Sequence, residues 1–258
     1  MNLIIDIGNT VSKFYLFDGS EIRGHGHQLG HSLDFLSALL DGTAEEYPTP
    51  LDLEAAIVCS VFNLPEEAEA RLRALPCPVL RFSADTPIPI SNGYRAPGSL
   101  GMDRLAAAIG AQSLFPGRPL LVIDAGSCIT FDFVTAQGEY VGGNITPGLQ
   151  ARLKAIDQFF PRLPKVEAEG DLPELGYNTE TAIRAGVIHG IRHEMQGYIF
   201  SFKEKYAALQ VVLTGGDSPL FQELGEDIVL REPDLVARGL ARVLIYNSKP
   251  SIQQDDNS

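Results

Sequence analysis

Two short stretches of the chain carry residue types suited to phosphate chemistry. Asp6-Ile7-Gly8-Asn9-Thr10 closes the apolar run Leu3-Ile4-Ile5, and Asp124-Ala125-Gly126-Ser127 closes Leu121-Val122-Ile123. Each sets a carboxylate two positions before a glycine, with a hydroxyl or amide residue directly after it. Glycine lets the backbone turn and approach a phosphate, Asn9, Thr10 and Ser127 supply donors, and a carboxylate can hold a cation through water. Asp6 suits a divalent ion, and Asp124 suits either Mg²⁺ or a monovalent ion. Either stretch alone also fits an ordinary turn, with Gly-Asn chemistry in the first and an Asx-turn in the second. Their residue-by-residue repetition favours the phosphate reading, because repeats decide architecture before local patterns do.

Two further groups add chemistry. Gly101-Met102-Asp103-Arg104 stands at the start of a helical pattern. Asp103 there is either a capping residue with a surface ion pair to Arg104, or a general base for a substrate hydroxyl with Arg104 binding a substrate anion. Thr214-Gly215-Gly216-Asp217 follows an apolar run; its diglycine permits close approach of a ring or phosphate, and it equally fits a turn. His25, His27 and His31 lie among glycines without a Cys or Glu framework, which reads as a solvated loop and not a metal site. His189 and His193 lack the glutamate of a metalloprotease helix.

The elements that must position these groups follow from periodicity. Residues 3–7 with 12–17, and 121–125 with 129–134, read as two strand-turn-strand hairpins. Helices are expected over 33–40, 65–75, 103–114, 149–159, 179–206 (with a possible break near Gly197) and 234–246, and strands over 55–61, 79–82 and 211–213. Loops are expected over 42–52, 87–101 and 161–175, and a glycine-dense turn over 142–148. The repeat divides the chain into lobes 1–117 and 118–247, followed by a disordered tail 248–258. Two such hairpins facing each other could grip a nucleotide triphosphate between the lobes.

Composition sets outer bounds. The chain has 258 residues, 45% of them apolar, and a net charge of −13, which argues against nucleic acid or an anionic membrane as partner. The three cysteines show no CxxC pair, so a reducing compartment is expected. No stretch approaches the roughly 20 apolar residues needed to span a bilayer, and the start lacks a basic leader. A cytoplasmic protein is expected.

Taken in order, the motifs resemble the type III pantothenate kinase family of the acetate and sugar kinase/Hsp70/actin superfamily. The resemblance rests on Asp6-x-Gly8-Asn9-Thr10, Gly101-x-Asp103-Arg104, Asp124-x-Gly126-Ser127, Gly142-Gly143-x-Ile145-x-Pro147-Gly148, Asn178-Thr179 with Ala182-Ile183, and Thr214-Gly215-Gly216-Asp217. It implies an α/β fold of two actin-like (ribonuclease H-like) lobes, each a mixed β-sheet flanked by helices, and a homodimer. It implies ATP-dependent phosphorylation of the 4′-hydroxyl of pantothenate, the first step of coenzyme A synthesis, with Mg²⁺ and with K⁺ or NH₄⁺. Carried over by position, Asp6, Gly8, Asn9, Thr10, Lys13 and Ser127 would bind ATP, and Asp103 would accept the proton. Tyr94, Gly101, Met102, Asp103, Arg104 and Thr179 would contact pantothenate, and Asp124 would hold the monovalent cation. Ser127 stands where threonine is commoner, and Asn63 departs from a Ser-Val-Val-Pro type of turn; neither change removes a needed chemical group. Alternatives from other classes are a non-catalytic transcriptional accessory protein, a filament former, and a kinase for another small hydroxyl substrate.

Overall fold

The structure, a computed structural model, describes residues 1–8, 10–42, 51–221, 224 and 229–248. Asn9, most of the expected loop 42–52 and the expected tail from 249 lie outside the described residues. The chain forms two units.

The first unit is built on a five-stranded sheet of β1 (Asn2–Ile7), β2 (Val11–Asp18), β3 (Glu21–Leu29), β4 (Ala55–Ser60) and β5 (Val79–Arg81), in the order β3-β2-β1-β4-β5. The hairpin strands run antiparallel, while β1, β4 and β5 run parallel. With it go α1 (Phe35–Asp41), α2 (Glu66–Arg73) and α3 (Met102–Leu114). Because side chains alternate across a strand, Leu3, Ile5 and Ile7 share one face. They join a buried core with Leu36 and Leu39 of α1 and Ala68 and Leu72 of α2. Asp6 therefore belongs to the opposite face.

The second unit repeats the plan. Its sheet holds β6 (Ser91–Asn92), β7 (Leu120–Ala125), β8 (Cys128–Val134), β9 (Glu139–Pro147), β10 (Gln210–Thr214) and β11 (Val229–Arg231), ordered β11-β10-β7-β8-β9-β6. Apart from the short edge strand β6, β7 to β11 reproduce the order of β1 to β5. Leu121, Ile123 and Ala125 face a core with α4 (Leu149–Phe159) and α5 (Thr179–Lys205), again leaving the aspartate, Asp124, on the opposite face. α5 runs unbroken through Gly197, whose absent side chain faces open space. It starts on a reciprocal cap: Asn178 Oδ1 accepts from the Thr181 N–H at 2.8 Å, and Thr181 Oγ1 accepts from the Asn178 N–H at 3.2 Å.

Three expectations change. The histidine-bearing stretch is strand β3 and not a loop; it lies at the sheet edge with no face fully buried, so no apolar alternation announces it. Residues 142–147 continue strand β9 and are not a turn, their glycines hiding the alternation. The last helix, α6 (Leu235–Ser248), groups from Val236 onward with the first unit, whereas the division at 117 placed it with the second. The physical reason is a close helix crossing in which a Cβ on Gly239 would lie 1.8 Å from the Ala106 carbonyl oxygen of α3. Gly239→Ala is expected to lower unfolding stability by about 1–3 kcal/mol, read as a reduced denaturant midpoint. Among the described residues, no helix is long and apolar enough to cross a membrane.

Candidate active site

In the first unit, register assembles the charged groups. Asp6 sits opposite Lys13 on antiparallel β2 and beside Cys59 on parallel β4, so the three share the sheet face opposite that of Leu3, Ile5 and Ile7. Asp103 enters this neighbourhood from the first turn of α3. Burial pushes the Asp6 carboxyl from 3.8 up to about 6, with Lys13 pulling it down and Asp103 pushing it up. By area Asp6 keeps a partly exposed rim, which leaves it reachable from solvent. Burial, then Asp6 and Asp103, hold the Cys59 thiol well above its ordinary value, so Cys59 is a packed thiol and not a nucleophile.

The Asp103 side chain curls back over its own turn. Its Oδ1 accepts from the Arg104 N–H at 2.9 Å and lies 2.5 Å from where a Cβ on Gly101 would stand. Glycine at 101 thus makes room for the carboxylate. Arg104 is buried, at 8% exposed.

The first hairpin turn is braced by the backbone. The Gly8 N–H donates to the Val11 carbonyl at 3.1 Å, and the Gly30 N–H donates to the Thr10 carbonyl at 3.0 Å. His31 Nε2–H donates to the Gly8 carbonyl at 3.1 Å, its ring edge-on to Phe62 at 4.3 Å between centroids. This contact was missed from sequence, since its partner is a backbone oxygen 23 residues away and no side-chain pattern signals it.

In the second unit, Asp124 sits across β7 from Thr130 on β8 and Thr214 on β10. Two glycine elements converge on this hairpin. The Gly148 N–H donates to the Ser127 carbonyl at 3.1 Å, and a Cβ on Gly148 would meet the Gly126 carbonyl oxygen at 2.1 Å. The Asp217 N–H donates to the Ala125 carbonyl at 2.9 Å. Gly215, at φ +95°, leaves no room for a Cβ, which would stand 2.4 Å from Asp124 Oδ1. Burial raises the Asp217 carboxyl. Ser127 is exposed at the turn.

The remaining expected site residues divide between the units. Met102 and Arg104 are on α3 of the first. Tyr94 and Thr179 belong to the second, Thr179 as the exposed first residue of α5.

The donor sets suit cations. Asp6, half-stripped of water beside a second carboxylate, is a hard oxygen ligand whose charge is costly unless a cation offsets it. Among the described residues no three His, Cys, Asp or Glu side chains form a metal cage. Asp124, close-packed by glycines, offers a single carboxylate suited to one positive charge.

The profile of the type III pantothenate kinase family matches residues 2–200. A type III pantothenate kinase of Bacteroides fragilis is 48% identical over 248 residues, covering 96% of this chain and 99% of that one. The chain belongs to the type III pantothenate kinase family. The family member of Phocaeicola vulgatus is 46% identical over 249 residues, covering 96% of this chain and all of that one. Solved structures share the fold. A Campylobacter jejuni protein described as a Baf family transcriptional activator superposes with TM-score 0.62 at 22% identity, covering 95% of this chain and 98% of that one. A ROK hexokinase of Thermus thermophilus superposes with TM-score 0.52 at 15% identity over 96% and 99% of the two chains. These two likenesses concern the fold alone.

Proposed function

We propose that this chain transfers the γ-phosphoryl group of ATP to the 4′-hydroxyl of pantothenate, giving 4′-phosphopantothenate and ADP at the opening of coenzyme A synthesis. Family membership supports the reaction. The observation that carries the mechanism is that Asp103, in the first turn of α3, is near enough to Asp6 and Cys59 to raise both groups.

Asp103 accepts the proton of the 4′-hydroxyl as its oxygen forms a bond to the γ-phosphorus. The bond from that phosphorus to the β–γ bridging oxygen breaks, and ADP leaves. Because the protein mostly positions and neutralises charge in such transfers, the donors matter as much as the base. Gly8, Asn9, Thr10, Lys13 and Ser127 bind the nucleotide, Lys13 by offsetting phosphate charge. Arg104 faces the pantothenate carboxylate, with Tyr94, Gly101, Met102 and Thr179 completing the acceptor contacts. Asp6 would hold Mg²⁺ through water, and the ion would neutralise charge on the transferred group. Asp124 would hold K⁺ or NH₄⁺. The working protein is a homodimer in the cytoplasm that uses neither nucleic acid nor membrane.

The test is ADP release from ATP, Mg²⁺ and K⁺ with and without pantothenate, together with the mass of the product. Pantothenate-dependent release with a monophosphorylated product supports the reading. Release without pantothenate dependence, or none with ATP still bound, refutes it.

Asp6 also predicts a pH signature in metal-free buffer. Its folded carboxyl titrates near 6 against 3.8, so between about pH 4 and 6 the folded state binds more protons than the unfolded one. Stability therefore falls as pH rises through that window and stays lower above it. Asp6→Asn removes the loss. The variant is expected to melt above wild type at neutral pH, with the gap closing near pH 4, while losing phosphoryl transfer. Parallel melting curves at both pH values would contradict this.

A further inference from the structure

The second unit buries a carboxylate that none of these roles uses. Asp132, on β8, is 0% exposed. Its Oδ1 accepts from the Tyr140 hydroxyl at 2.7 Å and its Oδ2 from the Thr130 hydroxyl at 2.9 Å. Stripping a carboxylate of water is costly, and apolar side chains in its place would hold a sheet together at least as well. Its partners suggest what the cost achieves. Thr130 is paired directly with Asp124 in the β7–β8 register, so Asp132, two residues on, lies on the same sheet face as Asp124. Tyr140, also 0% exposed, does more than donate to Asp132. Its carbonyl accepts from the Gly93 N–H at 2.8 Å, and its ring lies 6.1 Å from that of Tyr94. Gly93 lies so close that a Cβ there would stand 3.2 Å from the Tyr140 carbonyl oxygen. Asn92 Oδ1 accepts from the Tyr94 N–H at 3.0 Å, closing the strap on itself.

We infer that Asp132 is a positioning residue: by fixing the Tyr140 hydroxyl it sets the Asn92–Tyr94 strap, and with it the presentation of Tyr94 to the acceptor substrate. The role in catalysis rests on the kinase reading above; the mechanical link from Asp132 to the strap does not. Asp132 itself has no exposed surface and acts through the Tyr140 hydroxyl. Charge-assisted hydrogen bonds are shorter and stronger than neutral ones, which suits a carboxylate to the task better than an amide.

The test uses the full chain carrying Asp132→Asn and, separately, Tyr140→Phe, which removes a single hydroxyl. Each is expected to raise KM for pantothenate about tenfold while KM for ATP stays within about twofold, the loss of one hydrogen bond to a charged group. Amide exchange at Gly93, followed by NMR, is expected to quicken by about tenfold in both variants, with amides of α5 unchanged. The double variant is expected to be no worse than the worse single one, since both changes break one link. If Asp132→Asn does not fold, Tyr140→Phe, which keeps the carboxylate and its Thr130 donor, carries the test. Wild-type exchange at Gly93 would overturn the inference, as would an unchanged pantothenate KM with faster exchange. A wild-type protein without pantothenate-dependent turnover would overturn the kinase reading, leaving the strap to be judged by exchange at Gly93.

Discussion

Asp103→Asn is expected to cut kcat by about 10²- to 10⁴-fold while leaving ATP affinity close to wild type. Asparagine matches the carboxylate in shape and still fits over Gly101, but it cannot take a proton from the acceptor hydroxyl. Equilibrium nucleotide binding and steady-state turnover on the same preparation separate the two effects; near-normal turnover would remove Asp103 as base. Gly101→Ala serves as a companion that leaves the carboxylate chemically intact. Its added methyl would press on Asp103 Oδ1, 2.5 Å from the Cβ position, so kcat is expected to fall between the wild-type and Asp103→Asn values. A second signature comes from electrostatics. Asp103 is one of the groups that raise the Asp6 carboxyl, so neutralising it should move the pH-dependent loss of stability to lower pH.

The next largest effect is expected at Asp124. Wild-type turnover should be higher in K⁺ or NH₄⁺ than in Na⁺, whereas Asp124→Asn should run at one low rate in all three, about tenfold or more below the activated wild type. Identical wild-type rates in the three ions would count against a monovalent site here. Gly215→Ala should produce the same loss of ion response by a different route. The residue sits at φ +95°, and its Cβ would stand 2.3 Å from the Ala125 carbonyl oxygen as well as 2.4 Å from the Asp124 carboxylate. It should therefore also lower stability, by about 1–3 kcal/mol, which Asp124→Asn should not.

Much of this was legible in the order of residues alone. The two Asp-x-Gly hairpins form paired strands, each an apolar run, a glycine turn and a second apolar segment, and register sets Asp6 opposite Lys13 and beside Cys59. The glycine in Gly101-x-Asp103-Arg104 was legible as part of a motif, yet its reason, room for a carboxylate folded back on its own turn, is a matter of three-dimensional packing. Strand β3 escaped notice because an edge strand with no buried face has no period-2 signal. The contact of His31 with the Gly8 carbonyl escaped because backbone oxygens leave no mark in sequence. Asp132 escaped for a related reason: within the run Ile129-Thr130-Phe131-Asp132-Phe133 it reads as the solvent side of a strand, and burial by Tyr140 reverses that.

The return of α6 to the first unit has a consequence for synthesis. The second unit is one continuous stretch, Leu114–Leu235, apart from the short strap, whereas the first needs residues 236–248 to complete it. On a ribosome the second unit has all its residues before the first does, the reverse of the usual N-terminal-first order. Until the last helix emerges, α3 lacks the neighbour that Gly239 brings against Ala106. The nascent chain thus carries Asp103 on an unfinished scaffold, and the emergence of residues 236–248 sets when that scaffold closes.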